Sequence, residues 1–157
     1  MAPTPPAAPP LTFFAHLSVH VDAPYDLGEA PDAHRRLVPL TGGRFDGPDV
    51  RGVVLPSGAD HQVLRTATLT ELDARYALET DRGERIAVHN TGIRAGSPED
   101  IAALVRGERV APERIYFRSV PRLTTAAPRL AWINERLFVA VGERRPDSVE
   151  LDVFLLG

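Results

Sequence analysis

The 157-residue chain has no cysteine. Disulfides, thiolate nucleophiles and cysteine-ligated metals are therefore excluded. It also has no lysine: every one of its 18 basic residues is arginine. A lysine Schiff base is excluded with it. Excess positive charge is missing too. The formal net charge is −3 and the pI about 5.9, so no nucleic-acid or anionic-membrane partner is expected. No apolar run approaches the ~20 residues that cross a bilayer. The N-terminus lacks the basic and apolar regions of a secretory signal, and the expected location is cytoplasmic.

What is present is the composition of an ordinary globular domain, 43% hydrophobic and 25% charged, long enough to bury a core. Residues 1–10, nearly all proline and alanine, have nothing to bury and read as a disordered tail. Residues 11–157 read as a single domain.

Order begins with a period-2 alternation. Phe13, Ala15, Leu17, Val19 and Val21 alternate with Thr12, Phe14, His16, Ser18 and His20, the pattern of a strand with one apolar face. Asp22–Arg36 reads as a long loop, and Leu37–Leu40 as a short strand broken at Pro39. Further strands are expected at Val50–Leu55, His61–Thr68, Thr70–Thr80, Glu84–Asn90, Glu113–Leu123, Leu130–Ile133, Leu137–Glu143 and Val149–Leu156. One helix is signalled. Ser97 is a natural N-cap and Pro98 suits the first helical position. Glu99 and Asp100 complement the helix N-terminus, and Gly107 fits the position after the end. About nine or ten strands in successive hairpins, with one short helix, imply an antiparallel meander. Such a sheet hides its edges by closing. The expected fold is a closed or nearly closed antiparallel β-barrel with an internal pocket.

The densest cluster of ionisable groups is Asp60–Glu79. Asp60 at a Gly-Ala-Asp corner can act as a base toward a substrate carbon, or can cap a turn through its own backbone. Asp73 and Arg75 share one strand face and Tyr76 takes the other, so the stretch supplies one wall of a site rather than all of it. Tyr116, Arg118 and Arg122 share a face further on. A cavity lined by His20, Arg118, Arg122 and either Tyr76 or Arg75 would hold an anion, since the planar fork of arginine suits carboxylate and enolate oxygens. Trp132 and Asn134 share a face and can form an aromatic wall with a hydrogen-bond donor, or simply pack. The catalytic candidates are Asp60, Arg75, Tyr76 and Arg118. The binding candidates are His20, Asp73, Tyr116, Arg122, Trp132 and Asn134. His16 and His20 are ~13 Å apart on a strand and cannot share an ion; no metal or other cofactor is expected. Neither a phosphate-binding glycine loop nor a nucleophile elbow is present.

Six short motifs occur in order: Asp26-Leu27-Gly28-Glu29, Arg35 through Gly43, Gly58-Ala59-Asp60, Leu72-Asp73-Ala74-Arg75-Tyr76, Tyr116-Phe117-Arg118 and Gly142 through Pro146. Together they resemble the domain-of-unknown-function family 3237, also called UPF 0311, over residues 11–156. The resemblance implies a compact antiparallel barrel with an internal pocket and small-molecule chemistry, but no settled activity. His61 stands where members often have an aromatic residue, so no role for it follows.

The first functional expectation is a cofactor-independent enzyme of isomerase, cyclase or lyase type. It would move protons on an oxygenated, anionic or enolisable compound held in the barrel. The second is a non-catalytic barrel that binds or carries small ligands. The third is a structural protomer whose Arg-Asp network serves a homo-oligomer interface.

Overall fold

The structure is a computed structural model that describes residues 1–157. Met1–Pro10 carries no helix or strand. Ten strands follow: β1 Leu11–Val21, β2 Tyr25–Glu29, β3 His34–Asp46, β4 Arg51–Val54, β5 Ala59–Thr66, β6 Leu69–Thr80, β7 Arg85–Ala95, β8 Tyr116–Thr125, β9 Phe138–Arg144 and β10 Ser148–Leu156. Helix α1 is Pro98–Val105, and 3-10 turns span Pro112–Arg114 and Pro128–Glu135. Ser97 caps α1 as its sequence predicts, accepting the amide of Asp100, and Gly107 follows with φ +81°.

All neighbours are antiparallel and the sheet closes on itself. Around the ring run β1, β10, β9, β8, β7 and β6, then β4 and β5 end to end, then β3, which pairs back onto β1. β4 lies between Gly43–Asp46 of β3 and Leu78–Thr80 of β6. β5 continues the same position between His34–Pro39 of β3 and Leu69–Arg75 of β6. β2 adds to the free edge of the first half of β3. The fold is thus the closed barrel the alternation implies.

Three expectations are corrected. Asp22–Arg36 is not one loop, because it contains β2 and the start of β3. Pro39 does not break β3: it can donate no hydrogen bond, but its carbonyl accepts the amide of Asp22 at 3.0 Å. Leu130–Ile133 is a 3-10 turn that plugs one end of the barrel, with Leu130 and Ile133 almost fully buried. In β1, a bulge between Phe13 and Ala15 turns Phe14 inward and leaves Phe13 41% exposed.

The interior is segregated along its length. Phe14, Phe45, Val54, Leu78, Ile86, Leu123, Phe138 and Val153 pack with Leu130 and Ile133 into an apolar core. Toward the other end polar side chains join the apolar ones inside the barrel: Arg36, Asp60, Gln62, Thr70, Asn90, Arg94 and Ser119 are all buried. Arg36 at this end donates to the carbonyl of Val105, the last residue of α1, at 3.2 Å. No helix is long and apolar enough to cross a membrane.

Candidate functional site

This end of the barrel holds a partly open cavity with about 500 Å³ of empty space, its open mouth included. Its lining divides by strand. Asp60 and Gln62 (β5), Tyr76 (β6), Asn90 and Arg94 (β7), Ser119 (β8) and Arg144 (β9) supply polar groups. Val19, Val21, Leu40, Val149 and Leu151, from β1, β3 and β10, supply an apolar wall opposite.

Strand pairing sets the levels at which these groups stand. Asp60, Ala74 and Asn90 are register partners across β5, β6 and β7. One step along, Leu72, Gly92 and Ser119 align, and then Thr70, Arg94 and Phe117. Gly92 matters here: a Cβ at that position would come within 2.6 Å of the Ser119 Cβ, so its absence makes room for the Ser119 side chain. Gly58 holds the other approach, with φ +76° and a notional Cβ 1.7 Å from the Arg75 carbonyl oxygen. Only glycine fits that turn into β5, two residues before Asp60.

Asp60 does not cap its own turn. Its Oδ1 accepts the backbone amide of Asp73 at 3.1 Å and its Oδ2 accepts the Gln62 amide at 3.0 Å. It is the one acidic residue among the buried polar groups inside the barrel. Against it stand three guanidinium groups. Arg94 is buried, with its Cζ 5.4 Å from the centroid of the Phe117 ring. Burial lowers its pKa to about 10, and the charges of Arg144 and Arg36 push the same way against the pull of Asp60. It remains a cation at neutral pH. Burial likewise lowers the pKa of Arg36 and of Arg144. Arg144 also ties the β9–β10 turn, donating to the carbonyls of Pro146 and Ser148 at 3.3 Å each. The cavity end of the barrel therefore has an excess of fixed positive charge.

Four polar atoms there are buried and have no hydrogen-bond partner: the Tyr76 hydroxyl, Asn90 Oδ1, one terminal nitrogen of Arg94 and the Ser119 hydroxyl. A buried group left unpaired costs ~1–3 kcal/mol. Burial, and secondarily the charge of Asp60, raises the Tyr76 pKa far above its ordinary value. The phenol is thus a neutral donor at any working pH.

Of the residues singled out from sequence, the structure brings Asp60 and Tyr76 to this cavity. It places the others elsewhere. Tyr76 takes the inward face of β6, so Asp73 and Arg75 point outward. Asp73 accepts from His89 Nε2 at 2.8 Å, and Arg75 is exposed. Phe117, Ser119 and Leu123 take the inward face of β8. That turns Tyr116, Arg118 and Arg122 outward, with Arg118 stacked 5.0 Å over the Tyr116 ring. His20 is exposed on β1. Trp132 lies in the 3-10 plug, its ring 5.9 Å from Phe14. Asn134 pins that plug by exchanging hydrogen bonds with the backbone of Thr125. None of these eight lines the cavity.

Sequence reasoning missed Arg94, Asn90, Ser119, Gln62, Arg36 and Arg144. Arg94 was the most accessible of these. The alternation Ile86, Val88, Asn90, Gly92, Arg94 keeps its period past the point where the strand was expected to stop.

A family model described as protein of unknown function (DUF3237) matches residues 9–156. The chain is 45% identical over 126 residues to a UPF0311 protein of Rhodopseudomonas palustris, a match covering 80% of this chain and 82% of that one. The crystal structure of a conserved protein of unknown function from the same organism superposes with a TM-score of 0.90 at 38% identity, covering all of both chains. A structure described as an enzyme from Penicillium herquei shares the fold, with a TM-score of 0.73 at 16% identity over 99% of this chain and 100% of that one. With a match that spans the whole barrel and identities this high, the chain belongs to the DUF3237 family of proteins of unknown function.

Proposed function

We propose that the protein is a cofactor-independent enzyme that moves a proton on a small anionic or enolisable compound held in the barrel. The observation that carries this reading is the pairing of one carboxylate, Asp60, with two arginines, Arg94 and Arg144, and a neutral phenol around one cavity, with Arg36 buried within the field of Asp60. In such a site Asp60 accepts a proton from a carbon next to a carbonyl. The electron pair of that C–H bond moves onto the carbonyl oxygen, where Tyr76 and Arg94 donate hydrogen bonds to the enolate. Return of the proton to another carbon completes an isomerisation; loss of a leaving group completes an elimination. Arg94 and Arg144 take the orienting role first considered for Arg75 and Arg118. That a protein of the same fold is described as an enzyme is consistent with the reading at the level of the fold alone.

The test is solvent exchange. Small enolisable acids incubated with the protein in D2O should gain deuterium at the acidic carbon, followed by NMR, and Asp60→Asn should abolish the gain. Absence of exchange across a panel of such acids would sink the proposal.

One observation favours a second reading, a non-catalytic binding barrel. Each oxygen of Asp60 already holds a hydrogen bond. If Asp60→Asn leaves ligand affinity intact and wild type shows no exchange, the carrier reading replaces the first.

A further inference from the structure

The four unpartnered atoms and the two unlike walls specify more than an anion. We infer that the cavity takes a small hydroxylated monocarboxylate, with its oxyanion and its hydroxyl at separate ends of an otherwise apolar skeleton. The inference rests on the cavity being the ligand site of the proposed function.

Asn90, Gly92 and Arg94 are successive inward positions of β7, spanning ~13 Å of strand. At the Arg94 level the unpartnered group is a guanidinium nitrogen, which only donates. Arg144, another donor-only group, repels it electrostatically and so lies in the same field. An oxygen anion answers both. At the Asn90 level the unpartnered atom is a carbonyl oxygen, which only accepts. Its register partner two strands away is Asp60, also an acceptor. A hydroxyl donor answers these, while a second carboxylate would meet the charge of Asp60. Ser119 and Tyr76 can serve either kind of group.

The skeleton is set by the other wall. Val19, Val21, Leu40, Val149 and Leu151 offer no hydrogen bond, so the face turned toward β1, β3 and β10 must be hydrocarbon. The space is small, since the figure of about 500 Å³ counts the open mouth and the gaps between lining side chains, so the skeleton can be no larger than a single ring or a short branched chain.

The test uses three unreactive probes by calorimetry: 4-hydroxybenzoate, benzoate and neutral 4-hydroxybenzyl alcohol. The expected order of affinity is 4-hydroxybenzoate first, benzoate about tenfold weaker and the alcohol weakest. Arg94→Met should abolish the preference for the acid over the alcohol. Asn90→Leu should abolish the preference for the hydroxylated acid over benzoate. Circular dichroism of each variant confirms that it folds, and Asn90→Ala provides a second, smaller acceptor-deleting change if leucine disturbs the barrel. Equal binding of all three probes, or of none at millimolar concentration, overturns the inference. Probe binding in the expected order without deuterium exchange on any acid sinks the catalytic proposal and leaves this one standing. Exchange on acids that lack a hydroxyl, with no preference between 4-hydroxybenzoate and benzoate, does the reverse.

Discussion

The hydroxyl of Tyr76 is buried without a hydrogen-bond partner, in the field of the Asp60 carboxylate on the neighbouring strand. A folded chain has no reason of stability to keep a phenol in that position. Tyr76→Phe removes the unpaired group and keeps the ring. The expected result is an unfolding free energy unchanged or raised by up to ~1 kcal/mol, with solvent exchange slowed at least about tenfold if the phenol supports the enolate. Urea denaturation and NMR exchange measure the two halves. A clear loss of stability would show that Tyr76 has a structural partner.

Asp60 faces three arginines and holds two hydrogen bonds. Asparagine keeps an acceptor for the Asp73 amide but removes the one balancing charge. Asp60→Asn should cost ~1–3 kcal/mol, and Asp60→Leu, which leaves the arginines and both donors unanswered, ~3–5 kcal/mol. Much of the first cost should vanish when Arg94→Met is added, because one of the buried cations left unbalanced is then gone. A double-mutant cycle in urea reads that coupling directly.

Gly58 is conformationally fixed. Its φ is +76° and any Cβ would collide with the Arg75 carbonyl. Gly58→Ala should destabilise the fold by at least ~2–4 kcal/mol. It should also displace Asp60, so that carboxylate-probe affinity falls even under conditions where the variant is folded. The control is Gly83→Ala, which has a positive φ but open space around it and should cost only ~1 kcal/mol.

His16 lies on the outer face, with Nδ1 2.8 Å from Asp152 and Nε2 3.4 Å from Glu150. Burial disfavours its charge, but the two carboxylates outweigh that and raise its pKa above 6.5. A raised folded pKa contributes stability that is fully present below pH ~6.5 and is lost as pH rises through the folded value. Glu150 is the mirror case: its folded pKa is lowered, against burial, by Ser18, Ser148 and His16. Its contribution is present above pH ~4.5 and fails as pH falls through the folded value. His16→Gln should therefore lower the urea midpoint at about pH 5.5 and leave it unchanged at about pH 9. The gap should be modest, since the His16 side chain is 43% exposed. An equal loss at both pH values would point to packing rather than charge.

Much of this architecture is legible in the chain itself. Period-2 alternation marks nearly every strand, and Ser97, Pro98 and Gly107 mark the helix. What alternation leaves open is which face turns inward. On β8 the polar face, Arg118 and Arg122, looked like a cavity lining, yet Phe117 and Leu123 bring more apolar area inside and decide the orientation. On β6 the same balance turns Leu72, Tyr76 and Leu78 inward and Arg75 outward. Asp60 and Tyr76 were visible because they lie in the densest run of ionisable groups in the chain. Arg94 was hidden because a buried arginine in a strand contradicts the usual link between charge and exposure. Arg36 and Arg144 stood beside turns, where an arginine normally faces solvent. The 3-10 plug at Pro128–Glu135 carries apolar residues that imitate a short strand.

The lengthwise division of the barrel interior has an evolutionary consequence. Core residues such as Leu78, Ile86 and Phe138 stabilise the fold, while Asn90, Arg94 and Ser119 leave polar atoms unpaired. Substitutions among the latter can relieve that cost, so the chemistry of the cavity is free to drift without a compensating change in the core. Such a frame can be recruited repeatedly for new ligands by altering one end of a few strands.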